Sequence, residues 1–373
     1  MIFLMVAAVY AAIITFFSSG WFSIKEFKPP PGKITTRISV IVPVRNEREN
    51  IQPILHDLLN QDLPRNIFEV IIMDDASTDG TQDEIRRFIK TNPGSRKNLI
   101  YHKNNLEGKK AAIEYAVRIS SGDLIVTTDA DCRMEPGYLR TIAMYYQQYN
   151  PVMIAGPVKL SPYRGWAGAF QALEFLSLVG TGAGSLYKRK PIMCNGANLA
   201  YSRKAFSEVG GYTTDRKYSS GDDIFLLHKI SQRFGPQSVH FLKAKDAIVT
   251  SRPAGGLKGF MQQRMRWVSK SRGYKDRNII GTALSVYAFN GILLASALMS
   301  CFQISTIWLF LTLLAIKILV DFPVLNNISN YMGEKNLMAG YPLFQLMYIP
   351  YVILTGFLGN VWNIKWKGRK LNK

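Results

Sequence analysis

Cysteine and histidine are scarce. Cys132, Cys194 and Cys301 are scattered through 373 residues, and the four histidines form no cluster. A disulfide framework needs paired cysteines and a zinc site needs closely spaced ligands, so neither is expected; the thiols suit a reducing cytosol. Internal repeats and low-complexity tracts are also lacking. Acid is the minority charge: 26 Asp and Glu against 46 Lys and Arg leave a net charge of +20. Such an excess calls for an anionic partner, whether phosphorylated substrate, anionic lipid or nucleic acid, or it reflects the basic bias beside membrane segments. The hydrophobic runs favour the second reading, and no nucleic-acid partner is expected.

Lys and Arg are missing from the first 22 residues, which are apolar and long enough to cross a bilayer. A secretory signal would open on a basic stretch and end on small residues, so residues 1–22 are expected to be a transmembrane helix. Lys25, Lys28, Lys33 and Arg37 follow directly, which sets the N-terminus outside and the next domain in the cytoplasm. Pro29-Pro30-Pro31-Gly32 is a stiff spacer. Further apolar runs lie at about 281–302, 304–323 and 340–361, the first weaker because it carries Ser, Thr and Asn. The chain is therefore expected in the cell (inner) membrane as a multi-pass protein. Lys317 and Asp321 are four apart, so on a helix they share a face and can pair inside a bundle. Three crossings from a cytoplasmic domain leave the tail outside, whereas its charge (Lys365, Lys367, Arg369, Lys370) places it inside; one of the three is then interfacial or re-entrant.

Between these segments, strand and helix alternate. Ile38 to Pro43, Glu69 to Met73, Leu99 to His102 and Asp123 to Val126 read as buried strands, separated by helical patterns over 46–60, through Ile89, and over 108–119. Four alternations predict a parallel sheet with crossover helices. The expected divisions are 1–22 (N-terminal transmembrane helix), 37–250 (cytoplasmic α/β domain), 251–278 (interfacial helix), 279–362 (C-terminal transmembrane or interfacial helices) and 363–373 (basic tail). The interfacial assignment comes from basic residues interleaved with Phe260, Met261, Met265, Trp267 and Tyr274.

The fourth strand runs into Thr127-Thr128-Asp129-Ala130-Asp131. Ligands bind at the C-terminal ends of strands in such sheets. Asp129 and Asp131 project to the same side of an extended chain, and two such carboxylates can hold a hard divalent cation that in turn holds phosphates. Asp also caps and turns chains, so the pair alone is a weak signal.

The motifs in order are more specific. Val42-Pro43-Val44-Arg45-Asn46-Glu47, Asp74-Asp75-Ala76-Ser77, Gly108-Lys109 and Asp129-Ala130-Asp131 are followed by Gly196-Ala197-Asn198-Leu199-Ala200, Gly210-Gly211-Tyr212, Gly221-Asp222-Asp223 and Gln263-Arg264-Met265-Arg266-Trp267. Over roughly 38–270 this resembles a family 2 glycosyltransferase. The Gln-x-x-Arg-Trp element is similar to that of the membrane-embedded branch, which includes cellulose, chitin and hyaluronan synthases and ceramide glucosyltransferases. The resemblance implies a GT-A fold, an α/β nucleotide-diphospho-sugar transferase domain joined here to transmembrane helices. It also implies a UDP-sugar donor and inversion at the anomeric carbon.

Carried over residue by residue, the resemblance implies that Pro43, Asn46 and Glu47 line the nucleotide pocket. Asp75 accepts from the N–H of a uracil-like base with Asp74 in support, although either Asp75, Ser77 or Asp79 also suits a helix N-cap. Asp131, and more loosely Asp129, holds Mn²⁺ or Mg²⁺ against the diphosphate, whose developing charge must be neutralised. Lys109 adds a point charge there, or belongs to a solvated basic face with Lys103 and Lys110. Asp223 is the expected general base, since transfer to an alcohol needs a carboxylate to take the hydroxyl proton; as a plain alternative it caps the helix that follows. The family pattern has Glu before this Asp, and here Asp222 stands in that supporting place. Gln263, Arg266 and Trp267 share one helical face, with Arg266 forking onto a phosphate and Trp267 offering a wall to a sugar. Gly196, Asn198, Asp222 and Trp267 are expected on the acceptor side.

The reading that follows is transfer of one sugar to a hydroxyl of a lipid-like acceptor. A processive polysaccharide synthase acting on a saccharide acceptor shares every motif but needs more crossing helices. A polyprenyl-phosphate sugar transferase would leave Asp223 idle, because its acceptor is already an anion. A non-catalytic binder of anionic lipid has no use for Asp75, Asp129, Asp131 and Asp223.

Overall fold

The computed structural model describes residues 2–104, 108–213, 221–274 and 276–361, with the backbone of 365–366 and 369–370. The side chains expected to form a basic tail at 363–373 lie outside the described residues.

Helix α1 (Ile2–Ser23) leads through the proline spacer into strand β1 (Ile38–Val44). The chain then runs through α2 (Ile51–Leu59), β2 (Phe68–Asp74), α3 (Thr81–Thr91), β3 (Leu99–Lys103), α4 (Lys109–Ile119) and β4 (Leu124–Thr127). The β-branched runs of β1 and β2 are buried on both faces, with Val40, Ile41, Val42, Ile71 and Ile72 fully enclosed, as parallel strands between helices require. Helix α2 closes one face with Ile51, Ile54, Leu55 and Leu58, the i, i+3, i+4, i+7 stripe of an amphipathic helix.

The rest of the domain departs from the parallel pattern. After α5 (Tyr138–Tyr149) come β5 (Met153–Ala155), β6 (Val158–Leu160), the long helix α6 (Gly165–Tyr187), β7 (Leu199–Ser202), α7 (Arg203–Glu208), α8 (Asp222–Phe234), β8 (Val239–Phe241) and β9 (Val249–Ser251). The main sheet has the order β3-β2-β1-β4-β7-β5-β8. Strands β1 to β4 pair in parallel, but β7 runs antiparallel to both β4 and β5. The sheet is therefore mixed, which corrects the parallel sheet that the alternation predicts. Antiparallel β7 is useful: it delivers residues 195–198, which precede it, to the same sheet edge where β4 ends.

Among the described residues, four helices are long and apolar enough to cross a membrane: α1, α10 (Arg277–Ser300), α11 (Ile307–Tyr331) with the turn before it, and α12 (Tyr341–Val361) with the turn before it. Between domain and bundle lies α9 (Gly256–Ser269), with Phe260 and Arg264 turned inward. Helix α6 joins the two parts. A Cβ placed on Gly184 of α6 would collide with the Phe17 carbonyl of α1, and one on Gly20 of α1 would collide with the Gly184 carbonyl. Only glycine lets these backbones touch. The anticipated Lys317–Asp321 pair forms at 2.7 Å, and Tyr10 of α1 completes it by donating to Asp321 at 2.7 Å and accepting from Lys317 at 3.1 Å.

Candidate active site

The C-terminal ends of β1, β2 and β4, the turn before β7 and the N-terminus of α8 meet at one edge of the sheet. At the β1 end, Asn46 adopts a left-handed conformation (φ 52°) and its side-chain oxygen accepts from the Thr78 N–H at 2.9 Å, tying the β1 loop to the β2 loop. Glu47 is fixed in the same way, its N–H donating to Thr81 Oγ1 at 2.8 Å and its carboxylate accepting from Asn50 at 2.7 Å. Pro43 sits in β1 beside Met73 of β2.

The two aspartates after β2 do different work. Asp74 is fully buried and accepts from the Ser77 N–H at 2.9 Å and the Tyr101 hydroxyl at 3.1 Å, so it holds the turn together. Asp75 accepts from the Gly108 N–H at 3.0 Å, and the Arg45 guanidinium reaches its carbonyl at 2.5 Å. That places the buried Asp75 between the β1, β2 and β3 loops.

Lys109, Asp129, Asp131, Gly196, Asp222 and Asp223 come together farther along the edge. Lys109 Nζ stands 2.7 Å from Asp129 Oδ1 and 3.5 Å from Asp222 Oδ2. Burial alone would lower its ammonium, but Asp129 and Asp222 outweigh that and hold it above the ordinary lysine range. Asp222 shows the reciprocal effect: burial favours its neutral form, yet Lys109 and Lys270 keep it below the usual carboxylate range. Asp223 accepts from the Gly196 N–H at 3.3 Å through one oxygen, while Lys270 lies 3.6 Å from the other.

Asp131 accepts from Ser251 at 3.0 Å, and burial, then Asp129 and Glu47, push its carboxyl up to about 6. A buried carboxylate facing two other acids is relieved by a cation. No group of three or more His, Cys, Asp or Glu among the described residues forms a ready-made metal cage. The donor set nevertheless fits Mg²⁺ or Mn²⁺, which such sites hold through one or two carboxylates with substrate phosphates and water filling the remaining places. Asp129 and Asp131 are the residues that could hold it.

The Gln-x-x-Arg-Trp helix divides its labour. Arg266 points into the carboxylate cluster: burial pushes its guanidinium down, and Asp222, Asp129 and Asp223 pull it back. Gln263 accepts from Arg264 at 2.5 Å. Trp267 lies under the Arg264 guanidinium, 4.1 Å from its ring centre, and tilts onto Phe175. Asn198 is not brought to the site. It is 2% exposed, donates to the Pro157 and Ala247 carbonyls at 2.8 Å each and accepts from Tyr138 at 3.1 Å, so it braces the loop from beneath. This corrects its expected place on the acceptor side.

Two features were not singled out from the sequence. Lys270 sits beside Asp223, four residues past Arg266, and its only signal was membership of a basic stretch. Arg264, the residue between the motif positions, makes a buried ion pair with Glu174 of α6, its Nε donating to Oε2 at 3.0 Å and Oε1 at 3.2 Å and its Nη2 to Oε2 at 2.5 Å, and Tyr351 of α12 donates to the same carboxylate at 2.8 Å. From the carboxylate cluster a cavity of about 880 Å³ continues between α6, α9, α10 and α12, past Trp267, Tyr287 and Phe357 to Val361.

Residues 39–210 match the family described as Glycosyl transferase family 2. The chain is 37% identical over 141 residues to Glycosyltransferase AglE of Haloferax volcanii, an alignment covering 38% of this chain and 45% of that protein. It is 29% identical over 218 residues to a 4,4'-diaponeurosporenoate glycosyltransferase of Staphylococcus haemolyticus, covering 55% and 54% of the two chains. The chain spans less than two thirds of these curated relatives. Among solved structures, a mannosyltransferase from Pyrobaculum calidifontis, determined with GDP-Man and Mn²⁺, superposes with a TM-score of 0.61 at 19% identity over 97% of this chain and 99% of that one. The likeness establishes the GT-A fold.

Proposed function

We propose that the protein is a membrane glycosyltransferase, a reading supported by the match of residues 39–210 to glycosyl transferase family 2. It moves one sugar from a nucleotide-diphospho-sugar, read as a UDP-sugar, to a hydroxyl of a lipid-like acceptor with inversion. The observation that carries this reading is the cavity. It begins among Lys109, Asp129, Asp222 and Asp223 and continues to Tyr287 of α10 and Phe357 of α12, helices apolar enough to lie in a bilayer. A lipid can keep its hydrocarbon among those helices while its hydroxyl reaches the carboxylates.

In this reading Asp75 accepts from the base N–H, and the loops tied by Asn46 and Glu47 shape the nucleotide pocket. Asp129 and Asp131 hold Mn²⁺ or Mg²⁺, whose chemistry is to neutralise the departing diphosphate. Lys109 and Arg266 add fixed positive charge on the same side. Asp223, oriented by the Gly196 N–H and by Lys270, takes the acceptor proton as the hydroxyl oxygen attacks. Asp222 holds Lys109 in place. In this reading the Gln263–Trp267 segment, whose Gln263, Arg266 and Trp267 line the cavity, is the motif of the membrane-embedded branch, and the catalytic domain faces the cytoplasm at the inner membrane.

The test is turnover by detergent-purified protein of a panel of UDP-sugars and GDP-mannose, with membrane lipid extract, with Mn²⁺ or with EDTA. A lipid product carrying one sugar, lost with EDTA, is the expected result. A ladder of growing saccharide would replace this reading with a processive synthase. Turnover of GDP-mannose alone would overturn the uridine assignment.

A further inference from the structure

The cavity has a second polar end that sugar transfer does not use. Besides the carboxylate cleft, its walls include Tyr10 of α1, Lys317 and Asp321 of α11, and Gln345 and Tyr348 of α12. Lys317 is 1% exposed, Asp321 8% and Gln345 5%, all on helices apolar enough to cross a membrane. Ionisable side chains at such depth are costly and are retained where they pair or meet a polar ligand.

The pair itself has a sufficient structural role, since Tyr10, Lys317 and Asp321 satisfy one another and pin α1 to α11. Gln345 is different. Its side-chain oxygen is buried and finds no hydrogen-bond donor among the described residues, although it lines the cavity. A buried acceptor without a donor is destabilising, so a ligand that supplies the donor gains by meeting it. Gln345 and Tyr348 are three apart on α12 and so share a face. The Tyr348 ring lies 4.6 Å from Lys317 Nζ, and Gln345, Tyr348 and Lys317 all line the cavity. Lysine has three N–H donors, of which Tyr10 and Asp321 take two.

We propose that this end of the cavity is a binding site for a hydroxyl group carried at the far end of the lipid acceptor. Such a group donates to Gln345 and accepts from Lys317. The acceptor is then polar at both ends and apolar between, and the enzyme distinguishes it from a lipid ending in a methyl group. The inference rests on the proposed lipid-acceptor reading for its occupant, but the site can be tested without turnover.

The probes are a length series of straight-chain diols with a hydroxyl at each end, each matched to the mono-alcohol of equal length. Binding to the detergent-purified full-length protein is measured by displacement and by thermal shift. For at least one chain length the diol is expected to bind about tenfold more tightly than the mono-alcohol, equivalent to about 1.4 kcal/mol. Gln345→Met is expected to remove that preference while leaving mono-alcohol binding unchanged. Equal binding of diol and mono-alcohol by the wild-type protein at every length would overturn the proposal, and that comparison needs no variant to fold. Glycosylation of the probes is read separately. Diol preference without any glycosylated product would keep this site and defeat the lipid-acceptor reading; product formation with no diol preference would do the reverse.

Discussion

Lys109 Nζ lies 2.7 Å from Asp129 Oδ1, so the ammonium shares a carboxylate with the position a divalent cation would take. In the proposed reading a lysine placed there would serve the diphosphate together with the cation and would compete with the cation when the diphosphate is absent. Lys109→Met is expected to lower kcat by about 10²–10³, the usual effect of removing one donor to a developing charge. The half-saturating Mn²⁺ concentration in nucleotide-free protein is expected to fall. Unchanged kcat would return Lys109 to a purely structural role.

Asp131 gives a pH-dependent prediction whose sign is fixed by its raised carboxyl. The folded protein holds a proton on Asp131 up to about pH 6, above the range for an exposed aspartate. The folded state therefore binds more protons between those limits, and its stability falls as pH rises through them and stays lower above. In EDTA at pH 8, Asp131→Asn is expected to be more stable than wild type by about 1–3 kcal/mol, from roughly 1.4 kcal/mol per pKa unit. The difference should vanish near pH 4, and with Mn²⁺ present the order should reverse. Scanning calorimetry at the two pH values checks it.

The Glu174–Arg264 pair is almost completely buried, at 4% and 3% side-chain exposure. Removing one member strands the other, so Glu174→Leu or Arg264→Met alone is expected to cost about 3–5 kcal/mol. The double variant Glu174→Leu with Arg264→Met is expected to recover most of that loss. Denaturation in detergent measures all three, and additive losses would show that the pair is not coupled.

Gly184 is the contact on which α1 and α6 meet. Gly184→Ala forces the helices apart because the new methyl meets the Phe17 carbonyl, and its neighbour is backbone and cannot rotate away. A loss of more than about 2 kcal/mol, larger than the intrinsic preference of helices for alanine over glycine could offset, is expected. An unaltered melting temperature would mean that α1 docks elsewhere.

Local features were the ones legible in the sequence. The buried β-branched runs of β1 and β2 and the stripe on α2 repeat within a few residues, and their periods survive folding. The Lys317–Asp321 pair was readable because its members are one helical turn apart. Tyr10, which completes that cluster, is 307 residues from Lys317 and carried no such mark. Glu174 lies 90 residues from Arg264, and nothing near either residue announces the other. The antiparallel course of β7 depends on which strands it enters between, a pairing decided by the whole sheet rather than by Leu199–Ser202. Motif order brought Lys109, Asp129, Asp131, Asp222 and Asp223 onto one list, and the fold brings them to one sheet edge. It could not separate Gly196 from Asn198, because neighbours in a turn can face opposite ways.

In the proposed reaction everything turns on Asp223 taking the proton from an acceptor hydroxyl. Its most direct test compares wild type with Asp223→Asn for lipid product formation and for nucleotide binding, in the same Mn²⁺-containing preparation. Asp223→Asn is expected to lose product formation by about 10²–10⁴, the range for a positioned general base, with nucleotide affinity retained. Product formation at the wild-type rate would contradict it.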